Sequence, residues 1–569
     1  MMSRKTSPSL PAHPSSNPSS QEPLQAPQVP LLWLNQPPTM AMTPLHYAFR
    51  PIVSDQHTAA RAYFLCVIAM LFLESLAQLS PYLPGFIKRK RQPDHSLPRV
   101  FFHKLTTLPS AIPFLTNHTL PTLLRCLVFT ALNLLWGWNR IRYSTDYQIY
   151  GWLTIANGGL ALLLPTRTNV FSLLARIPAP TLLNYHRWAG IATVVHATLH
   201  FGLTAQQYVR TKQFDTVLQN TRIRIGVMAW AALAVMLLSS LRVVRRRAYE
   251  VFAYLHFAFL VFLGGALYHA THGYEFLLPG LILWVLDRAV RCYFCFFRRD
   301  EVKVTDVTHY AGNVTKIRLE GTKTRAAGQM AWVRIPGVSV VNWHPFTIAS
   351  APGRRGGTLA IRGLGGYTKK VQRLGEGDKE GHGRPHMRIS LDGPYGVEAL
   401  PWAKFPVVVL IAGGIGITPA MSIASYLVDQ GVSNKLAGVG ERHAHLLWCI
   451  RDISHACWFE EELKALAALA LPTTLSLAIS IYVTGGGASM VREEDALGAG
   501  TVYNGPGEVH RGRPDMGQWF RHLKEVRPGV DVAVNLCGPQ LLVDDARRAA
   551  ADASGKTGLF HVQEEVFEF

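Results

Sequence analysis

The chain has 569 residues, 49% of them hydrophobic, with a formal net charge of +20 and a positive mean hydropathy. It is too long for one domain, and so apolar a composition argues against a wholly soluble chain. The basic clusters Lys88-Arg89-Lys90-Arg91, Arg242 with Arg245-Arg246-Arg247, and Arg298-Arg299 each abut an apolar stretch. That is the positive-inside pattern of a membrane protein, without the basic stripe interleaved with aromatics that a nucleic-acid channel needs. The seven cysteines are scattered and imply no disulfide framework. Cys292 and Cys295 form a lone CxxC with no second pair to make a zinc site.

Residues 1–50, rich in Pro, Ser and Gln, read as a disordered tail without the charged-then-apolar opening of a cleaved signal peptide. Residues 51–297 read as a membrane domain. Seven apolar segments, near 62–82, 121–138, 149–165, 182–204, 223–241, 251–271 and 275–295, are each long enough for a hydrocarbon core of roughly 30 Å. Arg125 and Asn157 interrupt the second and third. Placing the basic clusters in the cytoplasm puts the loops at 86–104 and 242–250 there, with everything after 296, and the N-terminus outside. Residues 298–400 show short alternating runs such as "EVKVTDV" and "KIRLEG", which predict a small antiparallel β-barrel. Residues 401–569 begin "FPVVVLIAGGIGITPAMSIASYL" and continue "HAHLLWCIRD", the strand, turn, helix, strand order of an α/β nucleotide domain, with a loop insert near 484–510.

Two membrane segments carry histidines: His186, His196 and His200 in one, His256, His269 and His272 in the other. Ionisable residues inside a membrane are costly and face partners within the bundle. Fourteen residues separate His186 from His200, about 21 Å of helix on nearly one face. Thirteen separate His256 from His269, about 19–20 Å. Paired across two helices, the four imidazoles can clamp two metal macrocycles stacked across the bilayer. On a straight helix His256 and His269 point about 140° apart, so a bend is expected, with Gly264-Gly265 the site for it. His196 falls between the two levels and His272 at the external rim, and both are read as hydrogen-bonding residues. A histidine-lined proton or ion channel with a nucleotide-sensing domain is the alternative of a different class.

"HRW" with a histidine fourteen residues on, followed by "YEVFAYLH" with one thirteen residues on, resembles the ferric reductase and NADPH oxidase superfamily of transmembrane flavocytochromes b. The resemblance covers residues 60–569 with a gap at the insert, and "RTN" at 167–169 and "GRPD" at 512–515 are similar to fungal ferric reductases. It implies a multi-pass α-helical membrane domain followed by a ferredoxin-NADP reductase-like module, a β-barrel FAD domain plus a Rossmann-like NADP domain. By the same resemblance His186 with His256 ligates an inner b-type haem, and His200 with His269 an outer one.

"HPFTIAS" at 344–350 resembles the flavin motif of this superfamily, comprising His344, Pro345, Phe346 and Thr347. Pro345 stiffens a strand, Phe346 offers a face to the isoalloxazine, and the Thr347 hydroxyl suits a flavin ring nitrogen. In "IRGLGGYTKK", Gly365 and Gly366 precede Thr368 at a helix start, where backbone amides and Arg362 suit a pyrophosphate. "DGPYG" at 392–396 resembles the turn that closes the flavin domain. In "AGGIGITPA", Gly413, Gly414 and Gly416, then Thr418 and Pro419 opening a helix, let backbone and helix dipole approach a dinucleotide phosphate. Arg451, ending the next strand, stands where the adenosine ribose is read, and a cation there favours NADPH over NADH. "CGP" at 537–539 resembles the nicotinamide-side motif, with Cys537 near the hydride path beside Gly538 and Pro539. Phe569 matches the terminal aromatic that shields the flavin in relatives.

These readings imply NADPH-driven electron transfer through FAD and two haems to an external ferric or cupric chelate, in reductive iron uptake at the plasma membrane. The enzymatic rival is an oxidase making superoxide. Seven segments favour the reductase over six-segment oxidases, and four residues after His200, where oxidases often carry a histidine, stands Thr204.

Overall fold

The computed structural model describes residues 53, 55–79, 100–101, 103–104, 107, 119–138, 147–167, 169–174, 177–296, 302–340, 342–376, 387–396, 400–436, 441–485 and 503–565. Residues 1–50, most of the insert and Phe569 lie outside them.

The apolar segments fold into helices α1 (Gln56–Leu79), α2 (Leu120–Gly137), α3 (Gln148–Leu163), α4 (Ala179–Arg210), α5 (Thr221–Ser239), α6 (Tyr249–His256), α7 (Phe259–His269) and α8 (Tyr274–Phe296). By length and composition α1, α2, α5 and the α6–α7 pair are able to cross a membrane. On their outer faces Leu65, Phe72, Leu127, Leu134 and Leu238 are 61–70% exposed, as lipid-facing side chains are. The polar interruptions are paired across helices. Arg125 of α2 makes a two-pronged contact with Glu74 of α1 at 2.7 and 2.8 Å. Asn157 of α3 is fully buried and accepts from the Tyr63 hydroxyl at 2.6 Å. Helix α3 packs against α1, α4 and α8. Its glycines permit this: a Cβ on Gly159 would fall 2.2 Å from the Phe276 carbonyl oxygen of α8, the small-residue packing by which membrane helices approach.

The sixth segment is broken, and not where its glycines stand. Helix α6 ends at His256 and α7 begins at Phe259, with the amides of Phe257 and Ala258 bonding back only three residues. Gly265 instead lets α7 lie against α5, where a Cβ would meet that of Ala229 at 2.8 Å.

Beyond the membrane helices, strands β1 (Lys303–Tyr310), β2 (Val314–Glu320) and β5 (Gly357–Arg362) form one antiparallel sheet. Strands β4 (His344–Thr347), β3 (Met330–Arg334) and β6 (Ser390–Tyr395) form a second. Helix α9 (Gly366–Glu376) follows β5. Their shared core holds Ile317, Leu319, Val333, Ile348, Leu359 and Ile361.

The rest is a parallel six-stranded sheet in the order β10-β9-β8-β7-β11-β12. Its strands are β7 (Val407–Gly413), β8 (Arg442–Ile450), β9 (Leu475–Val483), β10 (Glu508–Arg511), β11 (Val532–Cys537) and β12 (Phe560–Glu565). Helices α10 (Ile417–Leu436), α11 (Glu460–Ala470), α12 (Met516–Val526) and α13 (Gln540–Ala553) connect them. Strand β7 is buried throughout, as a central parallel strand covered on both faces must be. The strand order reverses between β7 and β11, and in such sheets ligands bind at the carboxyl ends flanking that switch. The insert, expected as loop through 510, already contains β10 from Glu508, paired in parallel with β9. "GRPD" has a local role: Asp515 caps α12 by accepting from the Gln518 amide at 2.8 Å.

The two modules that follow the membrane helices are tied by a buried cation. Lys316 of β2 donates to the Trp458 carbonyl at 3.0 Å and to Glu462 at 3.1 Å. The Trp458 indole in turn donates to the Ala311 carbonyl at 2.8 Å.

Candidate functional site

The four membrane histidines meet as two pairs. The rings of His186 and His256 lie 6.2 Å apart between centroids, and those of His200 and His269 lie 6.3 Å apart. Two imidazoles that face each other from opposite sides of a single metal, with bonds of about 2.0–2.1 Å, stand roughly 6 Å apart between ring centroids. In three rings Nδ1 is turned away to a backbone carbonyl: His186 to Ala161 at 2.8 Å, His200 to Tyr147 at 3.1 Å, His269 to Arg222 at 2.9 Å. Such a bond fixes the tautomer and leaves Nε2 as the lone-pair donor, the arrangement of metal-bound histidines. Nδ1 of His256 is buried without a partner among the described residues. The break after His256 achieves what a straight helix cannot, turning both residues of this segment toward α4.

Glycines make room for two of the rings. A Cβ on Gly151 would stand 3.2 Å from His200, and one on Gly226 only 2.6 Å from His269. Sequence reasoning missed both, since their neighbours lie on other helices.

His196 belongs to neither pair. Its Nε2 meets Asn133 Oδ1 at 3.1 Å, and Asn133 donates to the Tyr63 hydroxyl at 3.0 Å while accepting from Asn157 at 2.9 Å. This buried network joins α1, α2, α3 and α4. His272 stands near His57, 6.3 Å between ring centroids, beside the start of α8.

The flavin-motif residues line one edge of the second sheet. Pro345 pairs with Trp332 and Phe346 with Ala331 across β3. The Thr347 hydroxyl is buried with no partner among the described residues, an orphaned donor suited to a ring nitrogen. The His344 ring packs 3.9 Å from that of Tyr367, and burial holds it below the ordinary imidazole range. Helix α9 begins at Gly366, as expected. The Thr368 hydroxyl accepts from the amides of Leu364 and Gly365 at 2.9 and 3.0 Å, so the backbone donors this turn leaves for an anion are the first-turn amides of α9 itself. Arg362 ends β5 close to the nucleotide loop: a Cβ on Gly414 would stand 3.8 Å from its Nη1.

At the switch point the two glycine motifs interlock. A Cβ on Gly413 would fall 2.4 Å from Pro539, one on Gly416 2.5 Å from the Cys537 carbonyl, and one on Gly538 2.9 Å from Gly413. Gly414 has φ +56°, and its carbonyl accepts from the Trp448 indole at 2.9 Å. Thr418 and Pro419 lie in the first turn of α10, the Thr418 hydroxyl donating to the Ile415 carbonyl at 3.3 Å. Cys537 is 2% exposed, and burial, with Glu565 beside it, pushes its thiol far up. It is a neutral thiol rather than a thiolate nucleophile. Arg451 is exposed at the end of β8. The neighbouring Asp452 turns its carboxylate to the Ser454 hydroxyl at 2.6 Å and amide at 2.9 Å, which hold it below the usual carboxylate range.

Three family descriptions match in succession: "Ferric reductase like transmembrane component" over residues 150–267, "FAD-binding domain" over 299–399 and "Ferric reductase NAD binding domain" over 405–551. Respiratory burst oxidase homolog protein B of Solanum tuberosum is 28% identical over 49% of this chain and 36% of its own length. NADPH oxidase 1 of Mus musculus is 25% identical over 57% of this chain and 62% of its own. Probable cell surface ferric reductase kap2 of Aspergillus oryzae is 28% identical over 57% and 46%. The match therefore spans from about a third to three-fifths of these relatives' length. With its histidine-bearing helical bundle, its FAD-binding domain and its parallel-sheet NAD-binding domain in this order, the chain belongs to the ferric reductase and NADPH oxidase superfamily.

Proposed function

We propose that the chain is a transmembrane NADPH-dependent ferric-chelate reductase, passing electrons from cytosolic NADPH through FAD and two b-type haems to an external ferric, or cupric, chelate. The observation that carries this is the pair of imidazole pairs at two levels of one bundle, each at the spacing of a bis-histidine metal site. In this reading residues 51–297 are the membrane domain, 298–400 the FAD domain and 401–569 the NADP domain, the latter two cytoplasmic and the bundle in the plasma membrane. His186 with His256 holds the inner haem, and His200 with His269 the outer one. Bound haem supplies one-electron redox chemistry. Bound FAD supplies the change from hydride donor to single electrons.

The protein's part is to bind and orient. Thr347 would donate to the flavin ring, and Arg362 with the first turn of α9 would hold the pyrophosphate. The interlocked Gly413–Gly416 and Cys537–Pro539 turns would offer backbone amides to the dinucleotide, and Arg451 would meet a 2′-phosphate. Phe569, outside the described residues, would be the aromatic that shields the flavin. Thr204 in place of a histidine, the RTN and GRPD stretches, and a relative described as a probable cell surface ferric reductase support a metal chelate over oxygen as acceptor.

The test is NADPH-driven reduction of a membrane-impermeant ferric chelate, with superoxide yield measured in the same membranes. Chelate reduction well above superoxide is the expected result. Superoxide as the main product would make the protein an oxidase, and absence of a b-type spectrum would end the electron-transfer reading altogether.

A further inference from the structure

The RTN stretch lies between α3 and α4, and the readings above give its side chains no part in binding or electron transfer. Its Asn169 is 2% exposed and closes the turn at both ends. The amide donates to the carbonyls of Leu163 and Leu164 at 3.0 and 2.9 Å, capping α3, while Oδ1 accepts from the Phe171 amide at 2.8 Å. The locked turn carries Arg167 onto the flavin sheet. The guanidinium lies 3.4 Å over the Trp332 ring, and Nη1 donates to Asp392 Oδ2 at 3.1 Å. The other oxygen of Asp392 accepts from the Tyr395 hydroxyl at 2.5 Å.

Trp332 is the register partner of Pro345 on one side and of Asp392 on the other. Arg167 therefore lands on the same rung of the sheet as the flavin-motif proline. On the membrane side, the end of α3 that Asn169 caps also supplies the Ala161 carbonyl to Nδ1 of His186. One run of direct contacts thus joins the inner histidine pair to the flavin strand.

The chemistry is selective. With side-chain exposures of 13% and 5%, Arg167 and Asp392 form a buried pair, in which loss of one partner strands the other. Burial draws the guanidinium down to about 10 against the pull of Asp392, which leaves it charged at neutral pH. Stacking on Trp332 while donating to Asp392 calls for a planar fork, which lysine lacks.

Resting on the electron-transfer reading above, we infer that Arg167 is a positioning residue that sets the flavin domain against the membrane bundle for electron passage from flavin to the inner haem. The test compares purified wild type, Arg167→Met and Arg167→Lys, all loaded with FAD and haem. Anaerobic stopped-flow follows flavin bleaching and haem reduction separately after NADPH is added. Hydrogen exchange is measured at residues 163–173 and 330–334 without nucleotide.

Arg167→Met should reduce flavin at a rate within about twofold of wild type yet slow haem reduction tenfold or more, since electron passage falls steeply as two redox centres move apart. Its exchange at both segments should rise. Arg167→Lys, with charge but no stack, should fall between. Unchanged haem reduction and unchanged exchange in Arg167→Met would overturn the inference, as would loss of haem or FAD from both variants, which would make Arg167 a folding residue. If NADPH fails to reduce haem even in wild type, the electron-transfer reading fails instead, and the exchange data still decide whether Arg167 holds the two domains together.

Discussion

Gly226 of α5 lies against the His269 imidazole so closely that a side-chain carbon there would fall 2.6 Å from Nδ1, the atom held 2.9 Å from the Arg222 carbonyl. The ring can neither retreat without losing that bond nor advance without leaving its place opposite His200. Gly226→Ala should therefore remove the outer haem while sparing the inner one, halving haem content with FAD content unchanged. Gly151→Ala, where the approach to His200 is a milder 3.2 Å, should shift the spectrum with less loss. Haem quantitation and reduced-minus-oxidised spectra decide it; full haem content in Gly226→Ala would mean that His269 is not a ligand.

The network around Asn133 predicts a graded outcome. His196→Ala removes one of three side-chain contacts at Asn133, and intramembrane hydrogen bonds average about 0.6 kcal/mol. Both haems should stay and the melting temperature should drop by only a few degrees. Asn133→Ala removes the node itself, leaving Tyr63, Asn157 and His196 short of partners, and should cost about 1–3 kcal/mol. Thermal unfolding in detergent with haem absorbance as the probe measures both. Loss of one haem in His196→Ala would make that residue a ligand.

Much of this was legible in the sequence, for local reasons. Apolar runs located the membrane helices, and the fourteen- and thirteen-residue spacings located the histidine levels. The strand, glycine turn, helix order located the nucleotide sheet. What escaped depends on contacts between distant segments. Nothing in Phe257-Ala258 marks a helix break, because neither glycine nor proline stands there. Gly265 looked like a hinge because its neighbour Ala229 is on another helix. The Arg167–Asp392 pair spans 225 residues of chain, and no local pattern encodes it.

Glu565 ends β12 opposite Cys537 in register, and burial pushes its carboxyl up to about 8 from 4.5. Between those values the folded protein holds a proton that the unfolded chain has released, so stability falls as pH rises through the window. The slope is at most about 1.4 kcal/mol per pH unit. Glu565→Gln cannot ionise and should lose this dependence, matching or trailing wild type near pH 5 and exceeding it near pH 8. Melting temperatures of both proteins from pH 5 to 9 provide the comparison, in which every other titrating group cancels. Parallel curves would show the carboxyl ionised throughout.

Arg451 supplies the prediction for coenzyme choice. Its side chain is exposed at the carboxyl end of β8, and its backbone carbonyl is pinned by the Gly485 amide at 3.0 Å. The adjacent Asp452 would cancel the charge were its carboxylate not turned into the cap of residues 453–458. On the proposed reading the guanidinium stands where the adenosine ribose is read, and a 2′-phosphate would gain a charge-assisted contact there. Such a contact is worth about 1.5–3 kcal/mol, so Arg451→Ala should raise KM for NADPH roughly tenfold to a hundredfold. KM for NADH should stay within about twofold, and kcat with either coenzyme should change little. Asp452→Ala is the control: it leaves the cation but frees the cap, so both coenzymes should suffer alike. Steady-state kinetics with the two nucleotides read this directly, and equal losses for NADPH and NADH in Arg451→Ala would move the 2′-phosphate site elsewhere.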